Sequence, residues 1–352
     1  MKKTIVTFFT LIVFQSCSTN DAKPEINITS PAAYVINGES TTITVIDLAS
    51  NVVKNTIVLD NSSIPQKSGY TSTGIQFPHH IYLSPDGKKL SIGVPGVDLS
   101  EGHSGSHENK GRILIVDAKN GNILANTELP KPNHNSIFSP DGKEIWTTLM
   151  EHEGKTLVYD VQTMTLKNTI LVGEEPAEVT FSVDGKYAFT ANGEGNSVSV
   201  INIDTKKVIK TIAVGTEPVG AWMGVDGNMY VDNEVSQTVS VIDVAKLAVV
   251  ETINLGFTPG YVAYNQALNE LWVSNARQSF VYYFTRENNK WKKQGSIQTG
   301  LDAHAIAFSK DWKIAYITNQ GNLSLSVIDV VTHKKIRDIE VGQKPNGIVL
   351  KN

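Results

Sequence analysis

The sequence predicts an all-β fold, a ring of seven four-stranded antiparallel sheets known as a seven-bladed β-propeller. A short apolar phrase, usually ending in aspartate, begins at Val45, Ile115, Val158, Val200, Val241, Val281 and Val327. Successive copies are 70, 43, 42, 41, 40 and 46 residues apart, and most of these steps match the length of one propeller blade. Two further observations support the ring: hairpin turns recur at one place in the repeat, and its two ends supply complementary strands.

The unit between Pro176 and Gly215 is the clearest copy of the repeat. Alternating β-branched and small residues predict four half-buried strands, at Ala177–Ser182, Tyr187–Ala191, Ser197–Asn202 and Val208–Val214. An Asp-Gly turn joins the first two strands and recurs at Ser84–Gly87, Ser139–Gly142 and Gly224–Gly227. The turn aspartates, and those that end the third strands, are therefore predicted to shape turns and not to act as catalytic groups.

The first and last units predict how the ring closes. The first unit has only three strands, at Tyr34–Asn37, Thr42–Asp47 and Val52–Leu59, whereas the last is followed by one extra strand at Pro345–Leu350. Together these pieces make one complete blade built from both ends of the repeat, which removes the open strand edges that a linear array would expose. The propeller domain is expected to span residues 34–352.

These units resemble the YVTN-type β-propeller repeats of bacterial surface and envelope proteins. The stretches that carry the resemblance, which covers residues 34–352, are Pro176–Gly185, Tyr187–Asn192, Ser197–Asn202 and Lys210–Gly215. The resemblance implies the seven-bladed architecture and a location in the cell envelope. It leaves the activity open, because such propellers include binding scaffolds, lactonase-like enzymes and metal or haem proteins.

The N-terminus predicts a targeting segment. Lys2 and Lys3 precede an apolar run from Ile5 to Phe14, which is typical of a signal peptide over residues 1–16 and is shorter than the ~20 residues that span a bilayer. Residues 14–17 resemble a bacterial lipoprotein signal, which implies a lipid on Cys17 and a membrane tether over residues 17–33. A plain secretory signal is the alternative.

Composition narrows the classes of partner. The chain has 352 residues, a formal net charge of −4 and no basic cluster, which argues against nucleic acid as a partner. We expect a monomer that binds a protein or a small molecule. The sequence contains no nucleophile elbow, P-loop or dinucleotide fingerprint, so serine-hydrolase, phosphoryl-transfer and nicotinamide chemistry have no support.

Histidines recur at the start of the first strand of several units. His79, His134 and His304 occupy the same place, one residue after the usual proline, and Asn346 occupies it in the unit between two of them. Because first strands line the channel of a propeller, these side chains are expected to converge. Neutral imidazole is the commonest transition-metal ligand, so the sequence predicts a copper or zinc site with these three histidines as its core.

An insertion at Pro95–Lys110 is expected to cover the same face of the ring. It carries Glu101, His103 and His107, and the two histidines are predicted as lid ligands. Further ligand-binding residues predicted on this face are Glu101, Asn346, Glu178 and His152. The alternative is that each histidine bonds backbone of the next blade and that the loops are merely polar.

Two functions remain open at this stage. The first is a membrane-tethered binding module that acts through this face, and the second is a lactonase-like hydrolase. Pro78–Gly87 is similar to the inner strand of lactonase-type propellers, and Glu178 with a histidine would then serve as general acid and base. Trp222 is expected in the packed core, and Trp291 is expected in an exposed hairpin.

Overall fold

The computed structural model describes residues 25–60, 74–100, 108–275 and 277–352. They form seven four-stranded antiparallel sheets, so the predicted fold class is confirmed. Within these ranges, no helix has the length and apolar character needed to cross a membrane. The signal peptide, Cys17, Glu101, His103 and His107 lie outside the described residues.

Each sheet is one blade, and its first strand in the order below is its inner strand. Blade 1 contains β28 (Pro345–Lys351), β1 (Ala32–Asn37), β2 (Thr42–Asp47) and β3 (Val52–Val58). Blade 2 contains β4 (Ile81–Leu83), β5 (Lys89–Val94), β6 (Arg112–Asp117) and β7 (Ile123–Glu128). Blade 3 contains β8 (Ser136–Phe138), β9 (Glu144–Leu149), β10 (Lys155–Asp160) and β11 (Leu166–Leu171). Blade 4 contains β12 (Pro176–Phe181), β13 (Tyr187–Asn192), β14 (Ser197–Asn202) and β15 (Lys207–Ala213).

The remaining three blades follow the same order. Blade 5 contains β16 (Pro218–Met223), β17 (Asn228–Asn233), β18 (Thr238–Asp243) and β19 (Ala248–Asn254). Blade 6 contains β20 (Pro259–Asn265), β21 (Glu270–Asn275), β22 (Phe280–Glu287) and β23 (Lys290–Gln298). Blade 7 contains β24 (Ala303–Phe308), β25 (Ile314–Asn319), β26 (Ser324–Asp329) and β27 (Lys334–Glu340). Inner strands of neighbouring blades contact one another around the ring, and they surround a central channel.

The apolar core lies between blades. Strands such as β14 are buried along nearly their whole length, whereas outer strands such as β11 expose most of their residues. Trp146 of blade 3 packs against Phe181 of blade 4, with ring centroids 5.4 Å apart. Burial of each blade against the next therefore supplies most of the hydrophobic stabilisation.

Blade 1 closes the ring as predicted. β28 pairs antiparallel with β1, from Ala32 opposite Lys351 to Asn37 opposite Pro345. Ala33 and Val35 of this blade share a buried cluster with Tyr316 of blade 7. The pairing of the C-terminal strand with β1 thus joins the last repeat to the first and closes the ring.

The aspartates of the repeat are structural, as predicted. In the first Asp-Gly turn, the Ser84 hydroxyl donates to Asp86 Oδ1 at 2.6 Å, and Gly87 has a φ of 70°. After β2, Asp47 Oδ1 accepts from the backbone N–H of Ser50 at 2.8 Å. These carboxylates stabilise turns at the end of the ring opposite to His79, His134 and His304.

The expectation for Trp291 was wrong. Its side chain is only 5% exposed, because the long hairpin of β22 and β23 folds against the neighbouring blade. The ring lies 6.0 Å from that of Tyr230 and under the Arg286 guanidinium at 4.9 Å. The tryptophan is therefore part of the packing between blades 5 and 6.

Candidate functional site

Four imidazoles meet at the end of the channel where the inner strands begin, which we call the upper mouth. We call His79, His80, His134 and His304 the histidine cluster. Ring centroids of His79 lie 4.5 Å from His80, 4.4 Å from His134 and 5.6 Å from His304. His79, His80 and His134 are no more than 3% exposed. The structure thus brings together the three predicted core histidines and adds His80.

A shared irregularity at the start of the inner strands places two consecutive side chains in the channel. In a regular strand, neighbouring residues point to opposite faces. In blade 4, however, the pairing of β12 with β13 shifts between Pro176 and Val179, and blades 5, 6 and 7 shift at the equivalent place. Such bulges redirect side chains. His80 in blade 2 and Glu178 in blade 4 both occupy the second position after the proline.

Glu178 is the acidic partner of the cluster, and its side chain is fully buried. Its Oε1 lies 3.2 Å from His80 Nε2 and 3.2 Å from His134 Nδ1. Ligand atoms of one tetrahedral zinc ion, each about 2.1 Å from the metal, stand roughly 3.4 Å apart. The donor atoms of His80, His134 and Glu178 lie within 4.8 Å of one another, as do those of His79, His80 and His304.

Asn346 fixes the orientation of His304 through its backbone. His304 Nδ1 lies 2.7 Å from the Asn346 carbonyl oxygen, so Nδ1 carries the donated proton and Nε2 carries the lone pair. The Asn346 side chain donates to the Pro78 carbonyl at 3.2 Å and accepts from Gln320 at 3.0 Å. Asn346, predicted from sequence as a ligand contact, is placed as a positioning residue beside the cluster.

The upper mouth is acidic. Burial raises the pKa of Glu178 well above its usual range, and the charge of Asp232 adds to the rise. Burial is also the first cause that raises the pKa values of Glu234 and Asp302, each to about 7. Among the described residues that line the cavity there is no lysine or arginine. The site is thus arranged to favour a bound cation.

The space between these groups is small and roofed. The cavity has a volume of about 40 Å³, and Leu99 and Ser100 from the blade 2 insertion line it. Lys344 of blade 1 holds this segment, since its ammonium bonds the Asp98 carboxylate and donates to Ser100 Oγ at 3.0 Å. The volume suits an ion with one or two water molecules.

His152 lies apart from the cluster. It does not line the cavity, and its exposed ring forms a separate group with Glu174 and Glu194. His152 Nδ1 is 2.8 Å from Glu194 Oε2. The hydrogen bond with Glu194 and the nearby carboxylate charges raise the pKa of His152.

Trp222 lies in the buried core as predicted, with only 6% of its surface exposed, and it also borders the cavity of the upper mouth. Its ring lies 5.9 Å from that of His80 and 3.8 Å from that of Tyr261. Its Nε1 donates to Asp232 Oδ1 at 2.7 Å.

Asp232 gives a testable pH effect on stability. Burial, and then the charge of Glu234, raise its pKa from 3.8 to about 7. The folded protein holds this proton more tightly than the unfolded chain, so the group lowers the free energy of unfolding as pH rises from about 4 to about 7. At pH 8, the raised pKa of Asp232 therefore lowers the free energy of unfolding by about 4 kcal/mol.

We therefore expect Asp232→Asn to stabilise the metal-free protein at pH 8 and not at pH 4. The amide oxygen can keep accepting from Trp222, while burial of the new N–H groups costs about 2 kcal/mol, which leaves a gain of about 2 kcal/mol. Urea unfolding at both pH values measures the effect. An equal change in the free energy of unfolding at both pH values would contradict the pKa assignment.

Comparisons with known proteins agree with the fold. The sequence model of the Choice-of-anchor I domain matches residues 58–228, and no curated protein matches the chain. Similar solved structures include the periplasmic gluconolactonase PpgL of Pseudomonas aeruginosa, with 18% identity, a TM-score of 0.69 and coverage of 92% of this chain and 99% of that chain.

Two more structures show the same architecture. A putative 6-phosphogluconolactonase from Bacteroides fragilis has 16% identity and a TM-score of 0.70, covering 92% of this chain and 98% of that one. Hydrazine synthase from Kuenenia stuttgartiensis has 18% identity and a TM-score of 0.64, covering 80% and 92%. At these identities the likeness shows the fold alone. The seven blades and these comparisons together identify the chain as a β-propeller protein.

Proposed function

We propose that this protein is a binding module of the cell envelope that holds one transition-metal ion, Zn²⁺ or Cu²⁺, in the histidine cluster. The observation that carries the proposal is the convergence of four imidazoles on a cavity of about 40 Å³ beside the fully buried Glu178. An imidazole-rich donor set suits zinc and copper, and a carboxylate beside the imidazoles both favours the ion and orients the rings.

Each residue of the cluster has a distinct role in this proposal. His79, His80, His134 and His304 supply nitrogen ligands. Glu178 balances the charge of the ion and orients His134, since Oε1 can accept the Nδ1 proton at 3.2 Å and leave Nε2 for the metal.

Replacing Glu178 by glutamine is expected to weaken Zn²⁺ binding about 10-fold to 100-fold, the usual effect of losing an outer-shell carboxylate. The amide keeps the shape of the side chain while removing its charge. Competition with a chromophoric chelator measures the affinity, and Glu194→Gln, at the exposed His152 group, is the matched control. Equal affinities of Glu178→Gln and the parent protein would remove Glu178 from the site.

The envelope location and the anchor belong to the same proposal. The signal-like residues 1–16, the position of Cys17 and the match to the Choice-of-anchor I domain support a secreted protein held at a membrane by a lipid. Mass spectrometry of the membrane-associated protein tests this, with a diacylated Cys17 expected. A soluble mature protein without lipid would favour the secretory alternative.

A lactonase-like hydrolase is the second candidate, and two similar structures with lactonase names support it. The described cavity favours binding over hydrolysis. Its volume of about 40 Å³ is too small for a sugar lactone, and its acidic lining lacks the cation that would hold a phosphate or carboxylate. An assay of gluconolactone hydrolysis separates the two candidates, and we expect no turnover above the spontaneous rate.

The metal proposal is tested with untagged protein comprising residues 18–352. After loading with Zn²⁺ or Cu²⁺ and dialysis, elemental analysis is expected to find one tightly bound ion per chain. The triple variant His79→Ala/His134→Ala/His304→Ala should lose that ion, whereas His333→Ala, at the opposite end of the ring, should keep it. Absence of a bound ion in the parent protein, or retention in the triple variant, would overturn the proposal.

A further inference from the structure

The lower mouth, where the inner strands end, contains a second and larger cavity. Its volume is about 520 Å³, which lies in the range of small-molecule pockets. Its principal lining side chains are Tyr82, Phe181, Trp222, Met223, Tyr261 and Ile306. Among the described residues that line it there is no charged side chain, in contrast to the acidic upper mouth.

An aromatic layer forms the boundary between the two cavities. Trp222 borders both of them, and its ring lies 3.8 Å from that of Tyr261, with 36° between the planes. Tyr82 completes this layer beside His80, with ring centroids 6.4 Å apart. A molecule in the lower cavity would therefore meet the faces and edges of aromatic rings.

We propose that the lower cavity binds an uncharged molecule with a planar aromatic ring system. Stacking on Trp222 and Tyr261 would add to the burial of apolar area, whereas a charged ligand would lose hydration without gaining an ionic partner. The rim carries apolar side chains that folding leaves open to solvent: Val183 is 57% exposed and Met223 is 46% exposed. Exposed apolar surface beside a concave pocket marks a binding surface.

The path of the chain is consistent with this ligand class. β1 begins at Ala32, opposite Lys351 at the end of β28, and the Ile28 N–H donates to the Lys119 carbonyl in a turn at this same end. The first described residues therefore leave the ring on the side of the lower mouth. Under the proposed lipid anchor, this mouth would face the bilayer, in which uncharged aromatic molecules dissolve. The chemistry of the cavity does not depend on the anchor.

The test uses metal-free protein comprising residues 18–352, so that its result is independent of the metal proposal. Calorimetric titration with 2-naphthol is expected to show one saturable site per chain. The anion 2-naphthoate and the non-aromatic cyclohexanol should each bind at least about tenfold more weakly. No saturable binding of 2-naphthol, or equal binding of 2-naphthoate, would overturn the proposal.

Rim variants locate the site. Met223→Glu is expected to weaken 2-naphthol binding at least about tenfold, because it places a charge at the lip of an apolar cavity. Val225→Glu is the matched control: Val225 is also 46% exposed but does not line this cavity, so binding should be unchanged. Val183→Glu provides a second rim variant. Parent-like affinity in both rim variants, or equal losses in Val225→Glu, would place the binding elsewhere and overturn the assignment.

Discussion

Replacing His80 by alanine is expected to weaken Zn²⁺ binding by at least about 100-fold. His80 belongs to both groups of buried donor atoms that lie within 4.8 Å of one another. Its ring centroid lies 4.5 Å from that of His79, 4.9 Å from that of His134 and 5.5 Å from that of His304. Removing it therefore takes one donor from each group and also breaks the contact with Glu178.

Chelator competition measures the loss of affinity, and urea unfolding of the metal-free variant verifies that it folds. His152→Ala is the matched control, because His152 also lies near carboxylates but is exposed and outside the cavity. Its affinity should match that of the parent protein. An affinity within about twofold of the parent for His80→Ala would exclude His80 as a ligand.

Deleting residues 345–352 is expected to destabilise the whole domain by at least about 5 kcal/mol. The deletion removes β28, leaves β1 as an open edge and takes away Asn346, which holds His304. For a domain of this size, the loss corresponds to a fall in Tm of about 7 °C or more.

Thermal unfolding followed by circular dichroism measures this effect. Removal of Lys351 and Asn352 alone is the control, since it shortens the strand only at its end, and its Tm should stay close to that of the parent. An unchanged Tm after deletion of residues 345–352 would refute the role of β28 in closing the ring.

The fold could be predicted because the repeat spacing, the strand pattern and the turn residues all indicate the same architecture. The repeated apolar motif that ends at Asp160, Asn202 and Asp243 has the spacing of one blade. The Asp-Gly pairs mark the hairpin turns between the first two strands of a blade. In blade 4, the predicted strands differ from the observed ones by one residue at most at each end. The unmatched first and last strands were sufficient to predict closure.

The site could be predicted only in part, because its geometry depends on bulges. His79, His134 and His304 could be found from their shared place after the proline or its equivalent. His80 follows His79 directly, and regular alternation would send it to the opposite face. Comparing the second position after the proline across the units, where the predicted Glu178 also lies, would have found His80.

Contacts between distant loops could not be predicted from the repeat. Lys344 bonds Asp98 and Ser100 across 246 and 244 residues of chain, and this contact places Leu99 over the cavity. No local pattern records such a pairing, since Asp98 and Ser100 lie in an insertion whereas Lys344 lies in a regular unit just before its proline. The raised pKa values of Glu178, Glu234 and Asp302 follow from burial, which only the packed structure defines.

Anomalous X-ray diffraction at the zinc edge, from crystals of the untagged protein loaded with one equivalent of Zn²⁺, shows whether the histidine cluster binds the ion. We expect a single strong peak in the upper mouth, about 2.0–2.2 Å from nitrogens of at least three imidazoles of the histidine cluster. A cluster without a peak, or a peak only beside His152, Glu174 and Glu194, would contradict the account.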